Sequence, residues 1–179
     1  QSNALFLALY YEHYVTKSIT SEYITIPART YPSVPCEIIH AGGKVEFEDL
    51  GGTTLKGAYQ LHPTKVWDSA LRFTSNMYIP NTHMCLSFTG PYKHLKLGKG
   101  GAILTDDYEA YKWFKRARYE GREEIPLMEQ EVFDMVGWNM YMTPPDAADG
   151  LWLMSSIPKH NEDTIENYPD LTKNDLFKK

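Results

Sequence analysis

The sequence has little cysteine and no apolar run long enough to cross a membrane. Only two cysteines occur among its 179 residues, Cys36 and Cys85, so a disulfide framework is not implied and a reducing, cytoplasmic compartment is expected. The most apolar stretch, Ala4–Tyr11, is far shorter than the roughly 20 residues that a spanning helix needs, and Glu12 and His13 follow it. The composition therefore predicts no association with a membrane.

An excess of positive charge is also missing. The formal net charge is −5, which argues against a module that binds nucleic acid by neutralising phosphates. The basic and aromatic stretch "YKWFKRARYEGR" is accordingly interpreted as a solvated helix face. The six histidines lie far apart, without HxH or HxxxH spacing, so no zinc site is predicted.

What is present is a chain of ordinary globular composition in which short strands and helices alternate. With 42% hydrophobic and 23% charged residues, it is long enough for one domain. Strands are predicted at "EYITIP", "KVEFED", "HMCLSF" and "GAILTD", with helices from an N-cap at Ser2, over "SVPCEIIH" up to Gly42, and from Asp107. This alternation predicts an α/β fold, a three-layer α/β/α arrangement around a mainly parallel sheet.

Two features define the C-terminal part. Thr143, followed by two prolines and Asp146, predicts a helix start, with its buried side supplied by Ala147, Ala148, Leu151, Trp152 and Met154. In the helix from Asp107, we expect Tyr108, Tyr111 and Phe114 to share one face. We divide the chain into one large domain, residues 1–157, and a polar tail, residues 158–179, which is expected to run over the surface.

The first candidate for chemistry is Lys93 in "SFTGPYKHLKLGKGGAILTDD". Gly98, Gly100 and Gly101 precede a strand and would allow positive φ or a close backbone approach. A partly desolvated lysine can act as a Schiff-base amine, and glycine-rich turns can hold anions. The spacing is not that of a P-loop, and a solvated loop lysine is the alternative interpretation.

The second candidate is Asp68, which ends the strand-like segment of "KVWDSALRF". The ends of buried strands are where α/β sheets place groups that contact ligands, and a carboxylate there could pair with a protonated ring nitrogen. The alternative is that Asp68 only caps a turn or a helix.

The order of these motifs resembles the DegT/StrS sugar aminotransferases, pyridoxal-phosphate enzymes of the aspartate-aminotransferase fold type. That family has a Gly-Thr-x-Ala-Leu helix start, Pro-x-x-Thr-aromatic, Glu-Asp-x-Ala, then Ser-Phe, a lysine and a glycine run, and finally Gly-aromatic-Asn-Tyr-Arg-Met. The corresponding places here hold "QSNALFLAL", "PARTY", "VWDSA", "SFTGPYKHLKLGKGG" and "GWNMYMTPPDAADGL". The resemblance covers Gln1 to about Leu153.

The resemblance implies a role for each matching residue. Lys93 is similar to the lysine that forms a Schiff base with the cofactor, and Asp68 to the carboxylate that keeps the pyridine nitrogen protonated. Tyr31 would stack on the ring. The implied phosphate contacts are Ser2, Asn3 and Ser87 in the same subunit and Asn139 toward the cofactor of a neighbouring subunit.

Several departures from the family pattern accompany the resemblance. Ser87 and Lys93 are one residue further apart than usual, so the loop needs a bulge or Ser87 loses its role. Lys99 and Leu71 replace a glutamate and a polar residue. The segment from Asp49 to Asp68 is short for the family, and the resemblance leads us to expect that a segment before Gln1 and most of the C-terminal substrate-side domain of the family have no counterpart in these 179 residues.

The implied function is transfer of an amino group from an amino acid, with glutamate expected, to a keto-sugar nucleotide in polysaccharide or amino-sugar biosynthesis. The cofactor would alternate between pyridoxal 5′-phosphate and pyridoxamine 5′-phosphate in a homodimer with shared sites. Two alternatives stay open. The chain could be a reduced, non-catalytic binding or assembly module, or a sugar dehydratase, since some relatives of that kind carry histidine in place of the lysine and His94 adjoins Lys93.

Overall fold

A computed structural model describes residues 1–52 and 54–178. The helices are α1 (Ser2–Tyr10), α2 (Ser33–His40), α3 (Tyr108–Ala117) and α4 (Pro144–Met154). The strands are β1 (Tyr23–Pro27), β2 (Lys44–Glu48), β3 (Thr54–Lys56), β4 (Tyr59–Gln60), β5 (Val66–Asp68), β6 (His83–Ser87), β7 (Gly101–Leu104) and β8 (Ile165–Asn167). None of the helices in these two ranges is long and apolar enough to span a membrane.

The strands form a mixed arrangement in place of the predicted mainly parallel sheet. The largest sheet has the order β4-β5-β6-β7, in which only β5 and β6 are parallel. Strands β1 and β2 form a parallel pair, and β3 pairs with β8 in antiparallel fashion. The prediction assumed a helix between successive strands, but loops alone join β4 through β7, and antiparallel neighbours need no helical crossover.

Helix α1 forms the centre of the hydrophobic core. It packs against α2 and against β5, β6 and β7, and its residues from Ala4 to Leu9 are all buried. Leu5 and Leu9 are 0% exposed. A helix that is apolar on all sides belongs inside a protein. The predicted N-cap at Ser2 is wrong by one position, because Ser2 is the first residue of the helix and Gln1 precedes it.

Helix α3 begins as predicted, but its buried face differs. The Asp107 carboxylate accepts the backbone N–H groups of Glu109 and Ala110, at 2.9 and 3.0 Å, which is an N-cap. The buried residues are Ala110, Phe114 and Ala117, whereas Tyr108 and Tyr111 are exposed. The expected face of Tyr108, Tyr111 and Phe114 is therefore wrong. These residues follow one another at intervals of three, so their line does not coincide with the side of the helix that meets the core. The basic side chains of this stretch form ion pairs with carboxylates, as expected for a solvated face. The pairs are Lys112 with Glu109, Lys115 and Arg118 with Glu124, and Arg116 with Asp134.

Helix α4 shows the same division between a correct start and a wrong face. Thr143 is the N-cap, and its hydroxyl accepts the N–H of Asp146 at 3.4 Å. The predicted buried side is not buried: Leu151 is 67% exposed and Trp152 74%. Within α4 only Gly150 is buried, while Leu153 is partly buried against Leu86, Phe88 and Leu95.

The polar tail packs against the body of the protein, so the expectation that it runs over the surface is wrong. We call residues 159–178 the C-terminal strap. Its strand β8 pairs with β3, and its Asp163 forms an ion pair with Arg72 at 2.7 Å. Leu171 and Phe177 are 3% and 6% exposed. The division into domains at residue 157 stays a prediction.

Candidate active site

A cavity of about 310 Å³ lies where the ends of β5 and β6, the start of α1 and the C-terminal strap meet. This volume is at the lower end of the range of about 300–1,000 Å³ that small-molecule sites occupy. The predicted site residues that line it are Ser2, Tyr31, Asp68, Ser87 and Lys93. The structure thus brings together five positions that are far apart in the sequence.

Lys93 is buried, so it is not the solvated loop lysine of the alternative interpretation. Its side chain is 8% exposed, and its Nζ lies 3.3 Å from Glu166 Oε1. The two other lysines of the loop, Lys96 and Lys99, are exposed. Because fully solvated lysines are the rule in loops, a buried one that lines a cavity is a candidate for chemistry.

The glycines after Lys93 shape the turn into β7. Gly98 and Gly100 have φ of +71° and +138°, conformations that residues with a side chain rarely adopt. At Gly101 a Cβ would lie 2.4 Å from the carbonyl oxygen of Leu86. These three glycines are not among the residues that line the cavity, so they serve the close approach of the chain and do not cradle an anion there.

Asp68 ends β5 and is 4% exposed. Its carboxylate accepts hydrogen bonds from the Ala70 N–H at 2.9 Å, from the Tyr59 hydroxyl at 3.0 Å and from the side-chain amide of Gln1. Burial raises the pKa of Asp68, while these hydrogen bonds and the nearby Lys93 act in the opposite direction. The bond from Ala70 is the local turn contact of the alternative interpretation, yet the same carboxylate also faces the cavity.

Tyr59 and Thr30 support Asp68; Thr30 belongs to the "PARTY" motif, but neither residue was predicted to lie at the site. Tyr59 lies opposite Asp68 in the antiparallel β4–β5 pair, and its hydroxyl is 2.6 Å from Thr30 Oγ1. Burial and the Asp68 charge raise the pKa of Tyr59 well above its ordinary value, so its hydroxyl stays a donor to the carboxylate. Such a pair depends on strand register, which no local motif in the sequence specifies.

Glu166 and Tyr168 form a second unpredicted part of the site. Both come from the C-terminal strap and line the cavity. The Tyr168 hydroxyl donates to Glu166 Oε2, while Glu166 Oε1 faces Lys93. Burial and the Glu166 carboxylate raise the pKa of Tyr168. A polar tail carries no sequence signal that it returns to a site, so these residues could not have been found by motif.

Two of the remaining predicted residues, Tyr31 and Ser87, line the cavity. Tyr31 is 53% exposed, and its ring lies 6.0 Å from that of Tyr168, centroid to centroid, at the edge of the cavity. Ser87 still lines the cavity despite the extra residue before Lys93, and Gly90, with φ of +107°, lies within that longer loop.

Asn3 and Asn139 are not among the residues that line the cavity. Asn3 is exposed on α1. The Asn139 side chain donates to Glu120 Oε1 at 2.7 Å. Among the described positions of this one chain, neither residue lines the cavity, so a cofactor role for either stays a prediction.

The residues present fit pyridoxal phosphate. Asp68 is a buried acceptor suited to a protonated ring nitrogen, and Lys93 is a buried primary amine in the same cavity. The hydroxyl side chains of Ser2, Ser87 and Thr89 line the cavity and could accept or donate hydrogen bonds to a phosphate, near the N-terminal end of α1. No cluster of histidine, cysteine and carboxylate side chains suited to a metal occurs in residues 1–52 and 54–178.

Several solved structures share this fold. AtS13 from Actinomadura melliaura matches with a TM-score of 0.68 and 16% identity, over 87% of this chain and 53% of that one. PseC from Helicobacter pylori, an aminotransferase involved in the biosynthesis of pseudoaminic acid, matches with a TM-score of 0.64 and 15% identity, over 87% and 51%. The sugar aminotransferase CalS13 from Micromonospora echinospora matches with a TM-score of 0.63 and 15% identity, over 87% and 54%.

The chain thus spans about half the length of these structures, with which it shares an α/β fold. A search of curated proteins finds no match. The model of the DegT/DnrJ/EryC1/StrS aminotransferase family matches residues 81–174, a segment that includes Ser87, Lys93, Asn139 and most of the C-terminal strap. The chain belongs to the DegT/DnrJ/EryC1/StrS aminotransferase family.

Proposed function

We propose that this chain forms the cofactor-binding core of a pyridoxal-phosphate-dependent aminotransferase that transfers an amino group to a keto-sugar nucleotide. The observation that carries the proposal is the burial of Lys93 and Asp68 in one cavity. A primary amine and a carboxylate that share a small-molecule cavity are the two protein groups that this cofactor chemistry requires.

Each residue has a defined task in this proposal. When bound, pyridoxal phosphate supplies an electron sink that makes the proton on the substrate carbon removable. Lys93 holds the cofactor as a covalent partner and, once free, moves a proton as a general base. Asp68, oriented by Tyr59 and the Ala70 N–H, holds the ring nitrogen in its protonated form. Tyr31 covers one side of the ring.

The amino donor, the sugar and the setting belong to the same proposal. Relatives with this fold include a sugar aminotransferase and an enzyme of pseudoaminic acid biosynthesis, which supports a sugar acceptor. We further propose glutamate as the amino donor, pyridoxamine 5′-phosphate as the second form of the cofactor, and a role in polysaccharide or amino-sugar biosynthesis in the cytoplasm.

Reduction with borohydride tests the role of Lys93. The chain is incubated with pyridoxal phosphate, reduced and digested, and the pyridoxyl label is located by mass spectrometry. We expect the label on Lys93 and its loss in Lys93→Ala, with Lys96→Ala and Lys99→Ala as matched controls from the same loop. A label confined to Lys96 or Lys99 would contradict the assignment.

We also propose a homodimer in which Asn139 reaches the phosphate of the neighbouring subunit's cofactor. Asn139 does not line the cavity of its own chain, and α4, which follows it, exposes Leu151 and Trp152. Large exposed aromatic and aliphatic side chains are typical of protein interfaces. Sedimentation with and without pyridoxal phosphate tests this. A monomer that binds the cofactor tightly would contradict it.

A second candidate function is a non-catalytic binding or assembly module of the same family. It is favoured by the pairing of Lys93 with Glu166, which engages the amine within the chain. A visible absorption band after addition of pyridoxal phosphate separates the two functions, since a chain that stays colourless favours the module. The dehydratase alternative gains no support, because the His94 ring contacts the Glu162 carbonyl oxygen at 2.9 Å and does not line the cavity.

A further inference from the structure

Glu166 is placed beside Lys93 by the C-terminal strap. The two side chains are 18% and 8% exposed, and 3.3 Å separates Glu166 Oε1 from Lys93 Nζ. The other carboxylate oxygen, Oε2, accepts the hydroxyl of Tyr168. The carboxylate thus has one oxygen fixed by a neutral donor and the other directed at a primary ammonium group.

The position of Glu166 is secured from both sides along the strap. Strand β8 pairs Glu166 with Leu55 of β3. Just before it, the Thr164 N–H donates to the Leu71 carbonyl at 2.9 Å, and Arg72 contacts Asp163 through two hydrogen bonds of 2.9 and 2.7 Å. After it, Leu171 is buried. Glu166 is therefore a fixed wall of the cavity.

This arrangement has a consequence for any state in which Lys93 is engaged elsewhere. A lysine whose nitrogen is bound to a cofactor no longer offers Glu166 an ammonium group. The carboxylate would then be a partly buried charge with one neutral donor, which is costly. Asp68 adds a second carboxylate to the same cavity, so the local field favours a cation.

The walls of the cavity are suited to such a cation. The aromatic side chains that line it are Tyr31, Tyr59, Tyr92 and Tyr168. Aromatic faces attract ammonium groups, most strongly where water is partly excluded. A primary ammonium beside Glu166 would therefore meet a charge-assisted acceptor in a cavity that tyrosine side chains line.

We propose that Glu166, oriented by Tyr168, is the subsite for a primary ammonium group, which Lys93 occupies in the resting chain and the amino group of the amino-acid substrate occupies when Lys93 holds the cofactor. This inference rests on the proposed function for the identity of the substrate. It assigns to the strap a residue that positions the amino group to be transferred.

The experiment uses the cofactor-free Lys93→Ala chain, in which the ammonium of Lys93 is removed and Glu166 is retained. Methylammonium chloride is titrated while the melting temperature is followed, with equal concentrations of sodium chloride and tetramethylammonium chloride as controls. We expect methylammonium to raise the melting temperature in a saturable manner beyond both controls. The parent chain, whose subsite is filled by Lys93, should show no such excess.

A second substitution isolates the carboxylate. In Lys93→Ala/Glu166→Gln, which keeps the shape and removes the charge, the affinity for methylammonium should fall by at least about tenfold. The double variant Lys93→Ala/Glu129→Gln, altered at a glutamate outside the cavity, should bind like Lys93→Ala. Equal affinity in the variants with and without Glu166, or no saturable effect in Lys93→Ala, would overturn the proposal.

If Lys93→Ala does not fold by circular dichroism, Lys93→Met retains most of the buried volume and ammonium chloride serves as a smaller probe. The outcome is independent of the cofactor. Absence of the pyridoxyl label on Lys93 would contradict the proposed function alone, whereas ammonium binding that ignores Glu166 would contradict the subsite alone.

Discussion

The cavity buries a charged side chain, whereas the outer surface of α4 exposes large apolar side chains. In the cavity, Asp68 is buried at 4% exposure and accepts three hydrogen bonds. On α4, Trp152 is a large apolar side chain that is 74% exposed. Burial of a charge costs free energy unless its partners are in place, and exposure of apolar surface costs free energy unless a partner covers it.

The difference shows which of the two regions is fully organised within this chain. The partners of Asp68 all come from this chain, from Gln1, Tyr59 and Ala70, so the carboxylate is organised before any ligand arrives. On α4, Leu153 packs against Leu86, Phe88 and Leu95, whereas Leu151 and Trp152 are exposed. The cavity is thus a preorganised feature, while α4 leaves Leu151 and Trp152 exposed.

The largest effect is expected from Asp68→Asn, which breaks the preorganised side of the comparison. The amide keeps the shape but cannot hold a ring nitrogen protonated, so turnover in the active assembly should fall by about a hundredfold or more. Circular dichroism should show an intact fold. Steady-state kinetics measures the change, and Asp149→Asn, an exposed substitution on α4, serves as the control. Turnover of Asp68→Asn close to that of the parent would contradict the role of Asp68.

A smaller but still large effect is expected from removing a leucine side chain in the core. Leu9 of α1 is 0% exposed, so Leu9→Ala should lower the free energy of unfolding by about 2–5 kcal/mol. The matched substitution on the other region is Leu151→Ala, at 67% exposure, for which a change within about 0.5 kcal/mol is expected in the monomer. Urea unfolding measures both. Similar losses would show that α4 is covered within the chain.

The sequence could predict the local features of the fold. The starts of α3 and α4 depend on Asp107 and Thr143, whose side chains cap backbone N–H groups within three residues, and both were predicted correctly. Gly42, with φ of +84°, follows α2 as expected. The buried faces of α3 and α4 were wrong, because apolar periodicity shows which side chains share a stripe but not whether a partner covers it.

In the candidate site, too, local motifs could be predicted and contacts between elements could not. Lys93 and Asp68 stand in motifs and could be singled out, whereas Tyr59 enters through strand register and Glu166 through the return of the strap. Tyr59 lies nine residues before Asp68 on the paired strand and Glu166 lies 73 residues after Lys93, and neither contact produces a local pattern. Sequence reasoning therefore found two residues that line the cavity and missed the residues that hold them in place.

The stability of the cofactor-free chain should also depend on Asp68 through pH. Because burial raises the pKa of Asp68 above its unfolded value of about 3.9, the folded chain binds more protons in the window between the two values. This carboxylate therefore lowers stability as the pH rises above about 4. Asp68→Asn should flatten that decline in urea unfolding between pH 4 and 7. A decline of the same slope in the variant would place its origin in other groups.

The smallest effect is expected from the ion pair between Arg72 and Asp163, which joins the strap to the rest of the chain. Its contribution to stability changes with pH in the opposite direction to that of Asp68. Arg72 lowers the pKa of Asp163, so this pair contributes stability that is present above about pH 4 and is lost as the pH falls through the depressed pKa. The two side chains are 30% and 19% exposed, which limits the contribution of the pair to about 1 kcal/mol. Arg72→Leu should release the strap to that extent.

Hydrogen exchange at neutral pH tests this release at the Thr164 N–H, which donates to Leu71 in the strap's attachment. Its protection should fall by about fivefold in Arg72→Leu, as expected for 1 kcal/mol. Arg122→Leu, which removes an arginine paired with Glu120 outside the strap, should leave this amide unchanged. The difference in protection between Arg72→Leu and the parent should also shrink below pH 4. Once Asp163 is protonated, the parent loses the ion pair with Arg72 as well. A difference that persists at low pH would mean that Arg72 holds the strap by packing, not by charge.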